Sequence, residues 1–332
     1  MAFPAGRRSL RVIPPVSDLS GILLSPSDQL GMHLGSSDQS EILMSEGRSI
    51  QVLILETIVE IRDFVNRERA GGKTVGFVPT MGYLHEGHLS LVRRAKKECG
   101  SVVVSIFVNP LQFGPKEDFS VYPRDLERDS RLLEECGVDA LFHPSEKEMY
   151  PGRHKTIVEV GEITGCLCGT SRPGHFQGVS TVVTKLFNIV QPHRAYFGQK
   201  DAQQVLVIKK MVEDLNIPVE IVAVPTAREA DGLAMSSRNV YLTPAQRAAA
   251  PILHKSLGEA AGAVSSGERD VKKLMAMVSS SIDGVEGASI DYVEVRSWPD
   301  LEEMEILAVP ALMALAVRFG KTRLIDNIIL GE

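Results

Sequence analysis

From Ile50 onward, short apolar runs alternate with stretches of helical periodicity, and few folds accept that rhythm. Residues 57–69 place Ile58, Ile61, Phe64 and Val65 at helical spacing and end at Gly71-Gly72. Residues 74–79 read as a strand, 84–99 as a helix, and 101–108 as an apolar strand of the kind buried in parallel sheets. Helices over 126–136, 179–190 and 202–215 alternate with strands over 140–142, 195–197 and 219–224. Such spacing predicts βαβ units, and so a Rossmann-like α/β fold whose parallel sheet is covered on both faces. Beyond Pro225 the texture changes. An Ala-rich helix over 244–264, a helix over 271–280 and strands over 291–295, 306–317 and 322–330 predict a smaller α+β domain. The organisation expected is therefore 50–225 followed by 226–332.

Residues 1–49 are different: rich in Ser, Gly, Pro and Asp, with poor apolar periodicity and Ser27-Asp28-Gln29 recurring as Ser37-Asp38-Gln39. Arg7, Arg8 and Arg11 are followed by Pro14, Pro15, Ser17 and Asp18, which is no secretory apolar core. Asp18, Asp28, Asp38 and Glu41 count against a transit peptide. This segment reads as a disordered or non-native extension, with Met44 a plausible start; a regulatory tail is the alternative. The whole chain carries 36 Lys+Arg against 42 Asp+Glu, a formal charge of −6. That balance argues against a dedicated nucleic-acid binder. No uncharged apolar run approaches the roughly 20 residues that span a bilayer. Four cysteines are too few for a disulfide framework, so the expected compartment is the cytoplasm. Cys166 and Cys168, without a second pair, read as free thiols.

Chemistry concentrates where the first strand meets its helix, in Pro79-Thr80-Met81-Gly82-Tyr83-Leu84-His85-Glu86-Gly87-His88. Ligands of open α/β sheets bind at the carboxyl ends of strands, and a helix start there offers free N–H groups to phosphate. His85 and His88 are three apart and share a helix face, and Gly87 lets a ligand approach the backbone. Two imidazoles so placed can donate to phosphate oxygens. The alternatives are a zinc site, for which no further His/Cys pair has ligand spacing, or ordinary surface histidines. Lys200, in Phe197-Gly198-Gln199-Lys200-Asp201, is likewise set at a strand end. Met235-Ser236-Ser237-Arg238 puts two hydroxyls beside a guanidinium, a good anion clamp or a simple turn.

Together these segments resemble the pantothenate synthetases, or pantoate–β-alanine ligases, within the nucleotidyltransferases that carry His-x-Gly-His. The resemblance runs from about residue 50 to the end. It includes Ser105-Ile106-Phe107-Val108-Asn109-Pro110-Leu111-Gln112-Phe113-Gly114, Tyr122-Pro123-Arg124, Arg172-Pro173-Gly174-His175-Phe176-Gln177-Gly178-Val179, Lys200-Asp201-Ala202-Gln203-Gln204 and Asp231-Gly232-Leu233-Ala234-Met235-Ser236-Ser237-Arg238-Asn239. It implies that pantoate attacks the α-phosphorus of ATP, and that β-alanine then displaces AMP from pantoyl adenylate. It also implies Mg²⁺ carried by the triphosphate, no protein metal ligands, and a homodimer to which strand 101–108 and its surroundings contribute.

By the same resemblance, His88, His85, Lys200 and Arg238 are the catalytic residues. Met81, Gly82, Tyr83, Leu84, Glu86, Gly87, Gly198, Gln199, Asp201, Ala227, Met235, Ser236 and Ser237 join them around ATP. Gln112 and Gln204 bind pantoate, Phe107, Val179, Val183 and Leu186 face its gem-dimethyl group, and Asn109 and Tyr122 shape the acyl and amine region. Gln199 stands where Glu is common, and Ala227 where a larger apolar residue is usual. Another nucleotidyltransferase of the superfamily, or an inactive nucleotide-binding regulator, are the rival readings.

Overall fold

A computed structural model describes residues 51–115 and 117–331. The expectations for residues 1–49 lie outside the described residues. The described residues fall in one compact unit. Its first half is β1 (Leu53–Leu55), α1 (Ile58–Ala70), β2 (Val75–Thr80), α2 (Glu86–Glu98), β3 (Ser101–Ile106), α3 (Leu126–Glu135) and β4 (Ala140–Phe142). Two short helices, α4 (Glu146–Met149) and α5 (Leu167–Ser171), precede α6 (His175–Val190), β5 (Arg194–Gly198), α7 (Ala202–Asp214) and β6 (Glu220–Val224). Helix α1 starts where periodicity and capping agree: Thr57 and Glu60 cap each other reciprocally, and Ile61, Phe64 and Val65 are buried.

The six strands pair in parallel in the order β1-β4-β3-β2-β5-β6. One apolar layer gathers side chains of α1, α6 and α7, the other those of α2 and α3, so the sheet is covered on both faces. From β2 the chain winds outward through β3 and β4, then returns to the other side of β2 with β5. The carboxyl ends of β2 and β5 thus flank the crevice at which open α/β sheets bind ligands. Strand β3 is buried at every position inside this sheet. An intersubunit surface would therefore have to come from its surroundings, not from the strand itself.

The second half holds α8 (Pro244–Ala249), α9 (Ile252–Ser265), α10 (Val271–Asp283), β7 (Ala288–Ser297), β8 (Ala311–Phe319) and β9 (Thr322–Leu330). The last three strands make an antiparallel sheet in sequence order, and α9 and α10 cover one face. The single helix expected over 244–264 is two helices. Pro251 has no N–H to continue the ladder, and the chain breaks there. Strand β8 likewise starts only after Pro310. A small apolar cluster joins the two halves, with Leu167, Ala202 and Leu206 against Leu301, Leu312 and Ala314. Among the described residues no helix is long and apolar enough to cross a membrane.

Candidate active site

The turn between β2 and α2 is held by its own backbone and by groups of β3 and α3. Gly82 has φ +83°, and a Cβ there would lie 2.9 Å from Ile106 Cγ2. Thr80 Oγ1 donates to the Ser105 carbonyl (2.8 Å) and accepts from the Gly82 N–H. Buried Asp129, on α3, accepts from the N–H groups of Tyr83 (2.6 Å) and Leu84 (2.8 Å). The two histidines cap α2. Gly87 N–H donates to His85 Nδ1 (3.1 Å), and His85 N–H donates to His88 Nδ1 (3.3 Å). A backbone N–H can only donate, so Nδ1 of each ring is an acceptor. In the neutral rings the proton therefore sits on Nε2. The rings lie 4.1 Å apart between centroids. Burial, with Lys200 the next influence, pushes His85 down to about 4. Burial, then His85 and Lys200, holds His88 well below the usual imidazole range. Both are neutral Nε2–H donors at physiological pH.

Across the crevice, β5 ends in a 3₁₀ turn, Gln199–Asp201, that carries Lys200. Asn327 of β9 donates to the carbonyls of Gln199 (3.1 Å) and Lys200 (2.8 Å), and so fixes that turn from the second half of the chain. Arg228 grips buried Asp326 beside it with two hydrogen bonds. In the 236–241 turn, Ser237 Oγ donates to the Tyr83 carbonyl (3.2 Å). Arg238 donates through Nε and Nη2 to Asp118 (both 2.9 Å) and lies over the Tyr122 ring. Burial alone would lower the Arg238 pKa, but Asp118 more than offsets it. The guanidinium is therefore held charged, with Nη1 not used by Asp118.

The third wall is the Asn109–Gln112 turn after β3. Asn109 is buried and its amide is saturated: Nδ2 donates to the Gly178 carbonyl and to Gln112 Oε1 (3.1 Å each), and Oδ1 accepts from Tyr150 Oη (2.8 Å). Gln112 Nε2 rests against Met81 Sδ (3.2 Å). These walls enclose a cavity of about 210 Å³. It opens beside a cleft of about 1190 Å³ that shares Lys200, Asp201, Gln204, Ser236 and Arg238 with it. The arrangement brings neutral N–H donors, one ammonium, one guanidinium and two hydroxyls around a space walled on one side by Phe107, Val179, Val183 and Leu186. It can bind a polyanion next to a small branched acid.

Residues 53–329 match the family model described as pantoate-beta-alanine ligase. The chain belongs to that family. Pantothenate synthetase of Pelotomaculum thermopropionicum is 62% identical over 85% of this chain and 100% of that protein. Among solved structures, pantothenate synthetase from Thermus thermophilus superposes with a TM-score of 0.80 at 49% identity, covering 84% of this chain and 99% of its own. Pantoate-beta-alanine ligase from Francisella tularensis, complexed with beta-gamma ATP and beta-alanine, gives 0.70 at 36% identity, covering 85% and 98%.

Of the residues that family resemblance singles out, the smaller cavity is lined by Met81, His85, Gly87, His88, Gly198, Lys200, Asp201, Ala227, Met235, Ser236, Ser237 and Arg238. Gln112, Gln204, Asn109, Tyr122, Phe107 and Val179 line it too. The structure does not bring Gly82, Tyr83, Leu84, Glu86 or Gln199 to that wall. Gly82 and Tyr83 shape the turn, Leu84 is core, and Glu86 faces outward onto Arg93. Gln199 Nε2 is buried without a partner among the described residues, and its carbonyl takes the bond from Asn327. The adjacent glutamines divide their work. Gln203 is buried and bonds Cys168 N–H and the Ile163 and Cys166 carbonyls, while Gln204 lines the cavity. Sequence reasoning missed Asp118, Asp129 and Asn327. Their partners lie 45 to 128 residues away, and no local pattern announces such a contact.

Proposed function

We propose that this chain condenses (R)-pantoate with β-alanine to give pantothenate, AMP and pyrophosphate through pantoyl adenylate. One observation carries the reading: two neutral, cap-locked imidazole donors share one cavity with Lys200, the Ser236-Ser237-Arg238 turn and the two glutamines. In the first step a pantoate carboxylate oxygen bonds to the α-phosphorus of ATP, and the bond to the bridging oxygen breaks. The charge gathering on pyrophosphate is met by Nε2–H of His88 and His85, by Lys200 and by Arg238. In the second step the neutral β-alanine amine attacks the acyl carbon, the acyl C–O bond breaks, AMP leaves with the former pantoate oxygen, and the nitrogen gives up one proton.

Positioning does most of this work, because in-line displacement needs aligned atoms and stabilised charge more than covalent help. Gln112 and Gln204 hold the polar end of pantoate, with Tyr122 and Asn109 shaping the wall beyond it. Phe107 and Val179 take its methyl groups. Gly82 and Tyr83 shape the turn that presents His85 and His88 to ATP, with Gly198, Ala227 and Met235 along its length. The segment from 226 onward acts as a lid over the phosphates, and the Ser237–Tyr83 and Arg238–Asp118 contacts support that reading. Among the described residues no cluster of three His, Cys, Asp or Glu side chains could cage a metal. Asp201 is the one carboxylate among the described residues that line the cavity, and it would face a Mg²⁺ whose chemistry there would be to offset the charge of the triphosphate. The resemblance also favours a cytoplasmic homodimer, which sedimentation of the purified chain tests.

The deciding assay mixes protein, ATP, Mg²⁺ and pantoate, with and without β-alanine. AMP release that requires both acids supports the ligase. ATP binding without turnover would leave only a regulator, and turnover with another acceptor would point to a sister enzyme.

A further inference from the structure

The block Arg172-Pro173-Gly174-His175-Phe176-Gln177-Gly178 is the part of the sequence that the reaction scheme leaves without a role. In the structure its polar groups converge on one object, the Asn109–Gln112 turn. His175 is the first residue of α6, after Gly174 in a left-handed conformation (φ +80°). Its Nδ1 lies 3.0 Å from the Gln112 carbonyl, which can only accept, so Nδ1 carries the proton. Nε2 is then the acceptor for Arg172 Nη1–H (2.9 Å). Arg172 is itself locked by two 2.7 Å bonds to Glu117, and its Nη2 also reaches the Gln112 carbonyl (3.3 Å). Burial pushes His175 down to about 4, so the ring stays neutral and keeps this tautomer.

Gly178, one turn along α6, presses backbone to backbone on the same turn. A Cβ there would lie 2.2 Å from the Leu111 carbonyl oxygen. Its carbonyl accepts from Asn109 Nδ2, while the Leu111 N–H donates to Asn109 Oδ1 (3.3 Å). These two one-way partners decide which end of the Asn109 amide is which. With Nδ2 on that side, Asn109 can meet only the oxygen of Gln112. Gln112 must then turn Nε2 the other way, where its neighbour is a thioether, a weak acceptor that a ligand oxygen outcompetes.

We propose that Arg172 and His175 are positioning residues that hold the Asn109–Gln112 turn so that Gln112 offers pantoate an N–H donor of fixed orientation. The site would then select for an acceptor, a carboxylate or hydroxyl oxygen, at that point of the substrate. This rests on the assignment of Gln112 to pantoate.

The test is steady-state kinetics in pantoate and in ATP, at saturating β-alanine, for Gln112→Ala, His175→Ala, His175→Asn and Arg172→Lys, each checked by thermal unfolding. Asn can keep a donor where Nδ1 stands. His175→Ala should raise KM for pantoate about tenfold, the scale of one lost hydrogen bond, with KM for ATP within about twofold. His175→Asn should restore most of that loss. Should His175→Ala not fold, Arg172→Lys reads the same link, because it keeps the charge against Glu117 and loses Nη1. An equal rise in both KM values, a His175→Asn variant as poor as His175→Ala, or unchanged pantoate kinetics would overturn the proposal. Gln112→Ala separates the two levels: if it leaves KM for pantoate unchanged, the pantoate assignment itself is wrong.

Discussion

The turn proposed to meet ATP and the turn proposed to meet pantoate are built by different means. The first, after β2, is capped by its own His85 and His88 on backbone N–H groups no more than three residues away. The second, after β3, depends on groups 41 to 69 residues distant: Tyr150, Arg172, His175 and Gly178. The first turn, self-made in its imidazole caps, borrows only support such as Asp129 on its Tyr83 and Leu84 N–H groups. A borrowed turn exists only when a whole helix arrives in register.

The sharpest way to break this comparison is at the self-made turn. His88→Ala removes one proposed donor to developing phosphate charge and should slow adenylate formation by about 10²–10³ fold, with about 1 kcal/mol of stability lost with the α2 cap. Single-turnover AMP-forming assays read the rate, and a normal rate would remove His88 from its role. At the borrowed turn, Gly178→Ala should do the reverse. The added methyl meets the Leu111 carbonyl, so about 2–3 kcal/mol of stability should be lost in denaturant unfolding, with pantoate affinity falling alongside. A variant as stable as the parent would mean that α6 can retreat.

Between the two turns stands Asp118, whose carboxylate holds the Arg238 fork. Asp118→Ala should raise KM for ATP about fivefold, the scale of a partly buried bidentate pair, and leave pantoate kinetics nearly unchanged. A lower KM would mean that Asp118 competes with phosphate instead of orienting the guanidinium.

The smallest effect is a difference in acid response. Free imidazole titrates near 6.5, while burial takes His85 and His175 to about 4 and holds His88 low as well. The unfolded chain binds protons first as pH falls, so this stability is complete above 6.5 and drains away between 6.5 and 4. For Glu117, burial pushes the carboxyl up, but the Arg172 pair outweighs it and sets the carboxyl at about 2. Its contribution is complete above its ordinary value of 4.5 and is lost from there down to 2. The unfolding temperature should begin to fall near pH 6.5, and the Glu117–Arg172 pair should add to a second loss below 4.5 that it shares with the other carboxylates held low, such as Glu68 and Glu98. An unfolding temperature constant from pH 6.5 to 4 would contradict three half-buried neutral rings.

The same contrast explains what could be read from the amino acids. The strand–helix alternation, the helix starting near Thr57 and the His85/His88 pair are local, and period and spacing expose them. Pro251 was a readable break inside an Ala-rich stretch whose helical signal overrode it. Strand β1 is three residues long, with Leu53 and Ile54 exposed, too short for alternation to register. Asp129 and Asn327 look like any polar residue on a helix or strand until the fold brings them against Leu84 and Lys200. Their meaning lies in topology.

Asn327 gives the site an order in time. Its bond to the Lys200 carbonyl spans 127 residues of chain. At about 5–20 residues per second, a ribosome needs roughly 6–25 s to make the residue that steadies the lysine after the lysine itself. The histidine turn can form early on the nascent sheet, but the centre that activates an acid is completed among the final strands. A half-made polypeptide would hold donors for a nucleotide without the braced lysine, and would be poorly placed to release a reactive acyl phosphate anhydride before the chain is whole.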